Sequence, residues 1–310
     1  MKRILVTGGA GAIGSHLVLS LIASGHKVTV LDDLSSGYKD LIPKTIDFLY
    51  GSITDDAILE AAFDRRPDVV FHLAALFANQ QSVDRPQLDL EVNGLGTLKL
   101  LEKCEKFKVA RFVYTSSSCV YGHQEKNLHE EDKLQDLDTP YAATKLLGEH
   151  YAKIWSQKKE FSVKVVRIFN SYGPNEFPGK YRNVVPNFIE KALRGESLTI
   201  LGEGTETRDF TYVSDVVKGL LLTLTITDDD FSIYNIGSGI GTKILDLANQ
   251  INAITGNQAP LTFAPRRNWD HILHRVSDIS LAKEKLNFSP TVSLSDGLKQ
   301  TFDWFKSKHE

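Results

Sequence analysis

The chain has 310 residues, of which 42% are hydrophobic and 24% are charged, as in an ordinary globular protein. Its net charge of −3 excludes the strong basic field that gathers nucleic acid. No apolar run approaches the ~18 residues that a membrane span needs, and the short apolar start at 4–7 runs into glycine, which indicates a strand and not a signal peptide.

In the first half of the chain, apolar runs alternate with longer amphipathic stretches. The predicted strands are 3–9, 26–33, 46–53, 68–75, 111–118 and 162–170. The predicted helices are 13–25, 54–63 with Thr54 as its N-cap, 88–107 and 140–158. Strands that are apolar throughout and alternate with helices indicate a parallel sheet covered on both faces. We therefore predict a doubly wound α/β domain over residues 1–170.

Beyond residue 170 this alternation is lost. Segment 171–188 is rich in Gly, Pro and Asn, which is typical of irregular chain. Helices are predicted at 184–194, 212–224, 244–256, 278–286 and 294–307, with short strands between them. The pattern predicts a smaller, mixed α/β C-terminal lobe over 171–310. We expect this lobe to bind the substrate and to interdigitate with the first domain, to which the chain returns near 205–235.

Two of the predicted helices, 88–107 and 140–158, carry apolar stripes that are wider than one packing face needs. A helix buries such a stripe against its neighbours, so we expect both helices to pack against a second copy of the chain as well. The sequence therefore predicts a homodimer.

Cysteines and histidines give no sign of a metal centre or a disulfide framework. Cys104 and Cys119 form no CxxC motif, so a reducing cytoplasm fits the sequence. His271 and His274 lie three apart in "NWDHILH", a spacing more typical of surface or pocket residues than of ligands. We therefore predict a cytoplasmic protein without a metal site.

A glycine-rich loop, "TGGAGAIG", joins the first predicted strand to the first predicted helix. Its Gly8, Gly11 and Gly14 have a G-x-x-G-x-x-G spacing. Glycines let the backbone approach a phosphate, and the start of a helix offers free N–H groups and a positive dipole end. In this context the loop predicts a dinucleotide site on a Rossmann-type sheet.

The second predicted strand ends in two acidic residues, Asp32 and Asp33. An acid about 20 residues beyond the glycine loop can accept both hydroxyls of the adenosine ribose. Its charge would repel a 2′-phosphate, so Asp32 favours NAD over NADP. We interpret Asp33 as the cap of the following turn.

The stretch "TPYAATKLLGE" (139–149) places Tyr141 and Lys145 four residues apart on a predicted helix. Residues with this spacing share a helix face. A phenol beside a fixed ammonium has a stabilised anion, which is one way to build a general base near neutral pH. Such pairs also occur on surfaces with the lysine stem over the ring, so the motif alone does not decide between the two interpretations.

Taken together, the motifs resemble the extended short-chain dehydrogenase/reductase superfamily. They are Gly8-x-x-Gly11-x-x-Gly14, the serines 116–118 before "VYG", and Tyr141-x-x-x-Lys145. Three further stretches extend the similarity nearly over the whole chain: "RIFNSYGP" (167–174), "GTETRDFTYVSDV" (204–216) and "APRRNWD" (264–270). They are similar to the NAD-dependent sugar-nucleotide epimerases and dehydratases, above all to the UDP-glucose/UDP-galactose 4-epimerases.

The resemblance implies a role for each matching residue. Tyr141 would be the catalytic base, Lys145 would hold the nicotinamide ribose and lower the pKa of Tyr141, and Ser117 would bind the reacting hydroxyl of the sugar. Ser116 and Ser118 would support them. The implied cofactor-binding residues are Gly8, Gly11, Ala12, Ile13, Gly14, Asp32, Ser52, Ile53, Leu73, Ala74, Ala75, Asn93, Tyr141 and Lys145. The implied substrate-binding residues are Phe77, Asn79, Ser117, Ser118, Cys119, Asn170, Arg208, Arg267, Asp270 and His274.

The implied reaction is a transient oxidation at C4 of a UDP-hexose. Tyr141 would take a proton from the 4-hydroxyl while hydride passes from C4 to NAD, the 4-keto sugar would turn, and hydride would return to its other face. NAD would then be regenerated in each cycle and stay tightly bound. Arg208 and Arg267 would grip the diphosphate together with Asn170, and Asp270 would bind the nucleotide ribose.

Several positions depart from the epimerase pattern. Ser52 stands where the family usually has an Asp that faces adenine, although a hydroxyl can still accept that hydrogen bond. Phe77, Asn79 and Gln80 lie near the expected position of the sugar, in a stretch unlike that of the galactose enzyme. His274 falls where relatives have a residue that limits space for an N-acetyl group. The identity of the hexose is therefore left open.

Two other functions remain open. The 4,6-dehydratases of the superfamily carry an Asp-Glu pair at the positions of Ser118 and Cys119, which argues against an ordinary dehydratase here. A thiol can transfer protons, so a variant dehydratase, such as a 5,6-eliminating enzyme, is the alternative. Cys119 is more simply a small buried side chain. A non-catalytic NAD(P)-sensing protein is a second alternative, which the intact set of Ser117, Tyr141 and Lys145 disfavours.

Overall fold

The computed structural model describes residues 1–132, 134, 136–158, 161–227 and 230–309. Its strands are β1 (Arg3–Thr7), β2 (Lys27–Asp32), β3 (Asp47–Tyr50), β4 (Val69–His72), β5 (Arg111–Ser117), β6 (Ser162–Ile168), β7 (Ser171–Tyr172), β8 (Thr199–Leu201), β9 (Thr207–Asp209), β10 (Thr211–Tyr212), β11 (Phe231–Ile236), β12 (Gly241–Lys243), β13 (Thr262–Ala264) and β14 (His274–Arg275). Its α-helices are α1 (Ala12–Ala23), α2 (Asp56–Phe63), α3 (Asn79–Asp84), α4 (Pro86–Asp89), α5 (Thr97–Lys106), α6 (Pro140–Gln157), α7 (Val184–Leu193), α8 (Val213–Leu222), α9 (Ile244–Thr255), α10 (Ser280–Leu286) and α11 (Leu294–His309).

Within this part of the chain, the central sheet has seven strands in the order β3-β2-β1-β4-β5-β6-β11. Every neighbouring pair is parallel. The predicted Rossmann-type, doubly wound parallel sheet is thereby confirmed. Its strand order reverses between β1 and β4, and ligands of such sheets bind outside the carboxyl ends of the strands at this switch point.

Helices cover both faces of the sheet because its strands are apolar on both sides. On one face, Leu17 of α1 and Val216 of α8 pack in one cluster with Val6 of β1. On the other face, Leu101 of α5 packs with Leu5. Each such fully buried side chain contributes about 1.5–3 kcal/mol to folding. Among the described residues, no helix combines the length and the apolar character that crossing a membrane requires.

The start of α6 is set by two adjacent residues. Thr139 is the N-cap, and its hydroxyl accepts a hydrogen bond of 3.3 Å from the backbone N–H of Ala142. Pro140 occupies the first helical position, where a missing N–H costs nothing. The cap therefore places Tyr141 in the first turn of the helix, with Lys145 one turn further on.

The predicted long helix over 88–107 is confirmed as helical chain without a break, but it is not α-helical throughout. The chain passes from α4 through a π-helical segment, Leu90–Gly96, into α5. Asp89 and Asn93 are buried in this region, and Asn93 Nδ2 donates a hydrogen bond of 2.8 Å to Asp89 Oδ1. π-helical turns of this kind are frequent at functional sites.

Two smaller predictions also need correction. The N-cap of α2 is Asp55 and not Thr54, because the Asp55 carboxylate accepts a hydrogen bond of 2.8 Å from the N–H of Ala57. Thr54 Oγ1 instead lies 2.9 Å from Ser52 Oγ. Segment 171–188 is not irregular throughout, since it begins with β7; its end enters α7, as the helix predicted at 184–194 requires. β7 forms by pairing with the distant β10, which local composition does not show.

The second half of the chain contributes to two cores. Three small sheets, β12-β9-β14, β8-β13 and β7-β10, accompany a cluster built from α7, α9 and α11. The same half also completes the main sheet, because β11 pairs with β6, and Val216 of α8 and Leu286 of α10 join the core around β1. The boundary between a domain at 1–170 and a lobe at 171–310 stays a prediction.

Candidate active site

A cleft of about 890 Å³ opens at the carboxyl ends of β1, β4 and β5, where the strand order reverses. Every predicted cofactor-binding residue except Asn93 lines it, and so does every predicted substrate-binding residue except His274. The predicted catalytic residues Ser117, Tyr141 and Lys145 lie together in its wall. The fold therefore brings nearly all of the predicted site residues into one continuous space.

The two exceptions have contacts elsewhere. His274 Nε2 lies 3.1 Å from Asn127 Oδ1, outside the lining of the cleft. Asn93 is buried behind the wall, where its Oδ1 accepts a hydrogen bond of 2.8 Å from the backbone N–H of Leu76. The side chain of Asn93 therefore holds the loop after β4 in place through the backbone of Leu76, and it does not reach the open space of the cleft.

The glycine loop is tight enough to exclude side chains. Gly8 has φ +72°, and a Cβ there would lie 2.5 Å from the backbone nitrogen of Ala74. A Cβ at Gly14 would lie 2.1 Å from the carbonyl oxygen of Gly8. Gly11, the N-cap of α1, brings no side chain to the first helical N–H groups. This end of the cleft can therefore cradle a phosphate group.

Asp32 lies at the end of β2 and is 8% exposed. Its Oδ2 accepts a hydrogen bond of 2.9 Å from the N–H of Ala10, and its Oδ1 accepts one of 2.9 Å from the N–H of Leu34. Burial raises the pKa of this carboxyl, partly opposed by these two bonds. The neighbouring Asp33 accepts from the N–H of Ser35, which confirms its interpretation as a turn cap.

Replacing Asp32 by asparagine is expected to weaken NAD binding by about 10- to 100-fold, because the amide loses both the charge and one acceptor oxygen. The matched variant Asp33→Asn should bind NAD within about two-fold of the unmodified protein, since its carboxylate is engaged in a local turn. Calorimetric titration of NAD into both variants measures the difference. Equal losses for both would contradict the assignment of the ribose site to Asp32.

The three predicted catalytic residues come from the end of β5 and the start of α6. Lys145 Nζ donates a hydrogen bond of 2.9 Å to the carbonyl of Thr115 and lies 5.8 Å from the centre of the Tyr141 ring. The Tyr141 hydroxyl interacts with Ser117. Ser82 Oγ accepts a bond of 3.0 Å from the Tyr141 N–H, which ties the first turn of α6 to α3.

Burial dominates the protonation of both helix residues. It raises the pKa of Tyr141, helped by the nearby Cys119 and Asp89 and opposed by the hydrogen bond with Ser117. It lowers the pKa of Lys145 to about 8. The helical spacing predicts that Lys145 lowers the pKa of Tyr141, but in the protein without NAD this pKa is raised. The Lys145 ammonium is itself desolvated, and it donates its hydrogen bond to the backbone.

Replacing Lys145 by methionine is expected to stabilise the cofactor-free protein at pH 7 by about 2–3 kcal/mol, because a desolvated ammonium disappears. In the unfolded chain the lysine keeps its ordinary pKa of 10.5. Between pH 8 and 10.5 the unfolded state therefore binds more protons, so the unmodified protein gains stability as pH rises. The measurement is the free energy of unfolding of both proteins as a function of pH. The difference in this free energy between the two proteins should shrink from pH 8 to 10.5, and a constant difference would contradict a buried charge at Lys145.

A buried ion pair supports the floor beneath the serines. Glu149 of α6 accepts hydrogen bonds from Arg167 of β6, at 2.9 Å from Nε and 2.7 Å from Nη2. It also accepts from the hydroxyl of Ser116 at 2.5 Å. Arg167 and Glu149 side chains are 3% and 4% exposed. The pair therefore fixes the end of β5 against α6, on which the geometry of the catalytic residues depends.

Of the predicted substrate-binding residues, Phe77 and Cys119 lie next to Tyr141. The Phe77 ring stands edge-on to the Tyr141 ring at 6.5 Å between centres. Asn79 Nδ2 lies 3.5 Å from Cys119 Sγ, which makes Cys119 part of the wall facing the phenol. Asn170, which is predicted to contact the diphosphate, is half-buried and donates to a backbone carbonyl of β9. Both Asn170 and Phe77 line the cleft.

The two predicted diphosphate-binding arginines differ in their surroundings. Arg208 Nη2 donates to the carbonyl of Ile272 at 2.9 Å and lies 3.6 Å from Asp270 Oδ1. Burial lowers its pKa to about 10, so it stays charged at neutral pH. Arg267 is exposed, with its guanidinium 5.5 Å from the centre of the Trp269 ring. Arg208 is therefore held in place, whereas Arg267 can move.

Sequence reasoning missed several residues of the cleft, chiefly Arg275, Asp138 and Glu176. Arg275 is 8% exposed, and Glu176 is 6% exposed. Burial raises the pKa of Glu176 to about 7, and Asn183 Nδ2 donates a hydrogen bond of 2.8 Å to it. No local pattern distinguishes these residues from surface charges; Arg275, for example, contacts Cys119, which is 156 positions away in the sequence. Among the described residues, no cluster of three or more His, Cys, Asp or Glu side chains could hold a metal ion.

A comparison with known families decides the classification. The chain matches the model of the NAD dependent epimerase/dehydratase family over residues 4–237. It belongs to this family. It is 45% identical to an epimerase of known structure from Methanothermobacter thermautotrophicus, over 99% of this chain and 93% of the other, with a TM-score of 0.96.

Other members of the family carry different names. A UDP-glucose 4-epimerase from Thermotoga maritima, solved with UDP-glucose, is 38% identical over 99% of this chain and all of the other, with a TM-score of 0.95. The UDP-N-acetyl-alpha-D-glucosaminuronate decarboxylase of Bacillus cytotoxicus is 34% identical over 98% of each chain. The comparisons therefore establish an NAD-dependent enzyme family that acts on sugar nucleotides, and they leave the exact reaction open.

The residues present fit NAD. The glycine loop offers a backbone cradle into which a Cβ could not be placed, and Asp32 ends β2 at the same side of the cleft. Ser52, which departs from the family pattern, lines the cleft as well, although its hydroxyl already lies 2.9 Å from Thr54 Oγ1. NAD is therefore the cofactor of this family member, and the residues after β1, β2 and β3 would hold it.

Proposed function

We propose that the protein is a sugar-nucleotide 4-epimerase that inverts C4 of a UDP-hexose through a transient 4-keto sugar. The observation that carries this proposal is the meeting of Ser117, Tyr141 and Lys145 in the wall of a cleft that continues into the NAD site. The neighbouring Ser118 and Cys119 supply no carboxylate for elimination. The site thus has the groups for oxidation and reduction at one carbon and lacks an acidic pair beside them.

Each catalytic residue has a role that its contacts support. Tyr141 takes the proton from the 4-hydroxyl and returns it to the inverted oxygen. Ser117 binds the same hydroxyl and orients it, since its own hydroxyl interacts with Tyr141. Lys145 holds the ribose next to the reacting carbon and is fixed by its bond to Thr115. NAD, when bound, accepts and returns the C4 hydride and adds a positive charge beside the phenol.

The other end of the cleft suits the nucleotide diphosphate. Arg208 is charged and held in place between Ile272 and Asp270, so its guanidinium can bind phosphate oxygens at little entropic cost. Arg267 is exposed and can fold over the diphosphate once it is bound. One carboxylate oxygen of Asp270, Oδ1, lies 3.6 Å from Arg208. We assign the other carboxylate oxygen to the hydroxyls of the nucleotide ribose.

Elimination and decarboxylation are the competing reactions. A variant dehydratase would use the Cys119 thiol, which lies in the same wall as Tyr141. The named decarboxylase among the similar proteins makes loss of a carboxyl group a further possibility to test. A non-catalytic NAD(P) sensor would bind the cofactor without ever reducing it in the presence of any sugar nucleotide.

We also propose that the enzyme is a cytoplasmic homodimer that keeps NAD tightly bound. Leu90 is 54% exposed, Leu95 is 45% exposed and Ile154 is 48% exposed, all on the two chain segments predicted to form the interface. Burying them against a second copy would remove apolar surface from water. Both cysteines are free, which fits a reducing compartment.

An NMR time course tests the reaction. The purified protein, without added cofactor, is incubated with UDP-glucose, UDP-N-acetylglucosamine and UDP-glucuronate, and separately with their C4 epimers. The proposal predicts the anomeric signal of the C4 epimer from both directions, with the same final ratio. Vinyl signals or solvent deuterium at C5 or C6 would show elimination, loss of C6 would show decarboxylation, and unchanged spectra for every sugar would support the sensor.

A further inference from the structure

Arg275 of β14 is a buried cation whose partners are incomplete. Its side chain is 9% exposed and lines the cleft. Its Nε has no hydrogen-bond partner, although it is shielded from solvent. Nη1 donates to Cys119 Sγ at 3.3 Å, and the carboxylate oxygen Asp138 Oδ2 is 4.0 Å from Nη2, beyond hydrogen-bond distance. Burying a guanidinium without a close counter-ion costs free energy of folding. An anion bound in the cleft would supply the missing counter-ion of Arg275.

Other buried arginines of the described chain have closer partners. Arg167 forms a two-pronged bond with Glu149, at 2.9 and 2.7 Å. Arg208 donates to two backbone carbonyls and lies 3.6 Å from Asp270. Arg275 instead has a sulfur atom as its hydrogen-bond acceptor, which is a weak one. Its unused donors therefore point to a missing ligand and not to a structural ion pair.

The position of Arg275 relates it to the sugar. Cys119, which it contacts, packs in one cluster with Tyr141 and follows Ser117 by two residues. Arg275 therefore lies at the part of the cleft wall that contains Tyr141. Arg208, the register partner of Arg275 between β9 and β14, is fixed by its bond to Ile272 and is the arginine assigned to the diphosphate.

We propose that Arg275 binds a carboxylate carried by the hexose on a carbon next to C4, so that the enzyme prefers carboxylated UDP-sugars to neutral ones. This inference rests on the proposed function, because it places the sugar with C4 at Tyr141. Two chemistries supply such a group: a C6 carboxylate attached at C5, or a carboxylate on an ether at C3. A planar guanidinium matches the two oxygens of either carboxylate.

The test is calorimetric binding to the NAD-loaded protein. The ligands are UDP, UDP-glucose, UDP-glucuronate and UDP-N-acetylmuramate, and the proteins are the unmodified chain, Arg275→Gln, Arg275→Lys and Arg208→Gln. We expect the unmodified protein to bind one of the carboxylated sugars at least about 10-fold tighter than UDP-glucose. Arg275→Gln should weaken the binding of that carboxylated sugar by about 30- to 100-fold and the binding of UDP by less than about 3-fold. Arg275→Lys should retain part of the affinity, whereas Arg208→Gln should weaken all four ligands.

The outcomes separate the possible roles. Tighter binding of the glucuronate places the carboxylate at C5, and tighter binding of the muramate places it at C3. If Arg275→Gln lost as much affinity for UDP as for the carboxylated sugar, Arg275 would be assigned to the diphosphate and the inference would be overturned. So would tighter binding of UDP-glucose than of both carboxylated sugars, a result that needs no variant. These are binding constants, so failure of C4 inversion in the NMR assay would refute the proposed function separately.

Discussion

Replacing Tyr141 by phenylalanine is expected to lower kcat by about 10³- to 10⁴-fold while KM changes only a few-fold. Phenylalanine keeps the ring in its place against Phe77 and removes only the hydroxyl that exchanges the proton. Because Ser117 and Lys145 remain, the substrate should still bind with its 4-hydroxyl in the cleft. The loss therefore falls on the transition state and not on ground-state affinity.

A matched control separates chemistry from packing. Tyr121 is also a buried phenol, and its hydroxyl donates to Asn235 Oδ1 at 2.7 Å, but it does not line the cleft. Tyr121→Phe should lower stability by about 1 kcal/mol and leave kcat within a few-fold. Steady-state kinetics with the sugar found by NMR gives both values. A loss below about 10-fold in Tyr141→Phe would remove Tyr141 as the base.

Replacing Glu149 by glutamine is expected to destabilise the protein by about 3–5 kcal/mol, because it leaves the Arg167 guanidinium buried without its counter-ion. Both side chains are nearly fully buried, so little solvent screening reduces the effect. The hydroxyl of Ser116 would also lose its charged acceptor. The change lies beneath the catalytic serines, and the activity of the folded fraction should fall as well.

A double-mutant cycle tests this ion pair. The proteins are Glu149→Gln, Arg167→Met and the double variant that combines these two changes, compared by chemical denaturation. Because the double variant contains no unpaired buried charge, it should be more stable than Glu149→Gln. Additive losses from the two single changes would show that the two groups do not interact, in contradiction to the 2.7 Å contact.

Much of the fold follows from local patterns. Runs such as Ile4-Leu5-Val6 are apolar on both faces, and this alone predicts burial inside a parallel sheet. The spacing of the glycines predicts a tight loop, and in the structure Gly8 and Gly14 do occupy positions where a Cβ would clash with the backbone. The Thr139-Pro140 start likewise predicts where α6 begins and thus where Tyr141 lies.

The features that sequence reasoning missed depend on contacts between distant segments. The π-helical segment Leu90–Gly96 directly follows Asp89, a buried acid that its local sequence does not distinguish from a surface acid. Arg275 becomes a buried cleft residue only because β14 pairs with β9. The raised pKa of Tyr141 reflects desolvation by the folded chain, which helical spacing does not measure.

Return of the same hydride to the same sugar is tested most directly with a substrate that carries deuterium at C4. The holoenzyme converts it in ordinary water, and mass spectrometry with NMR locates the label in the product. Transient oxidation at C4 predicts an epimer that keeps the deuterium at C4 in nearly every molecule. Loss of the label to solvent, its appearance at C6, or a product that lacks the inverted C4 would contradict the proposed 4-epimerase reaction.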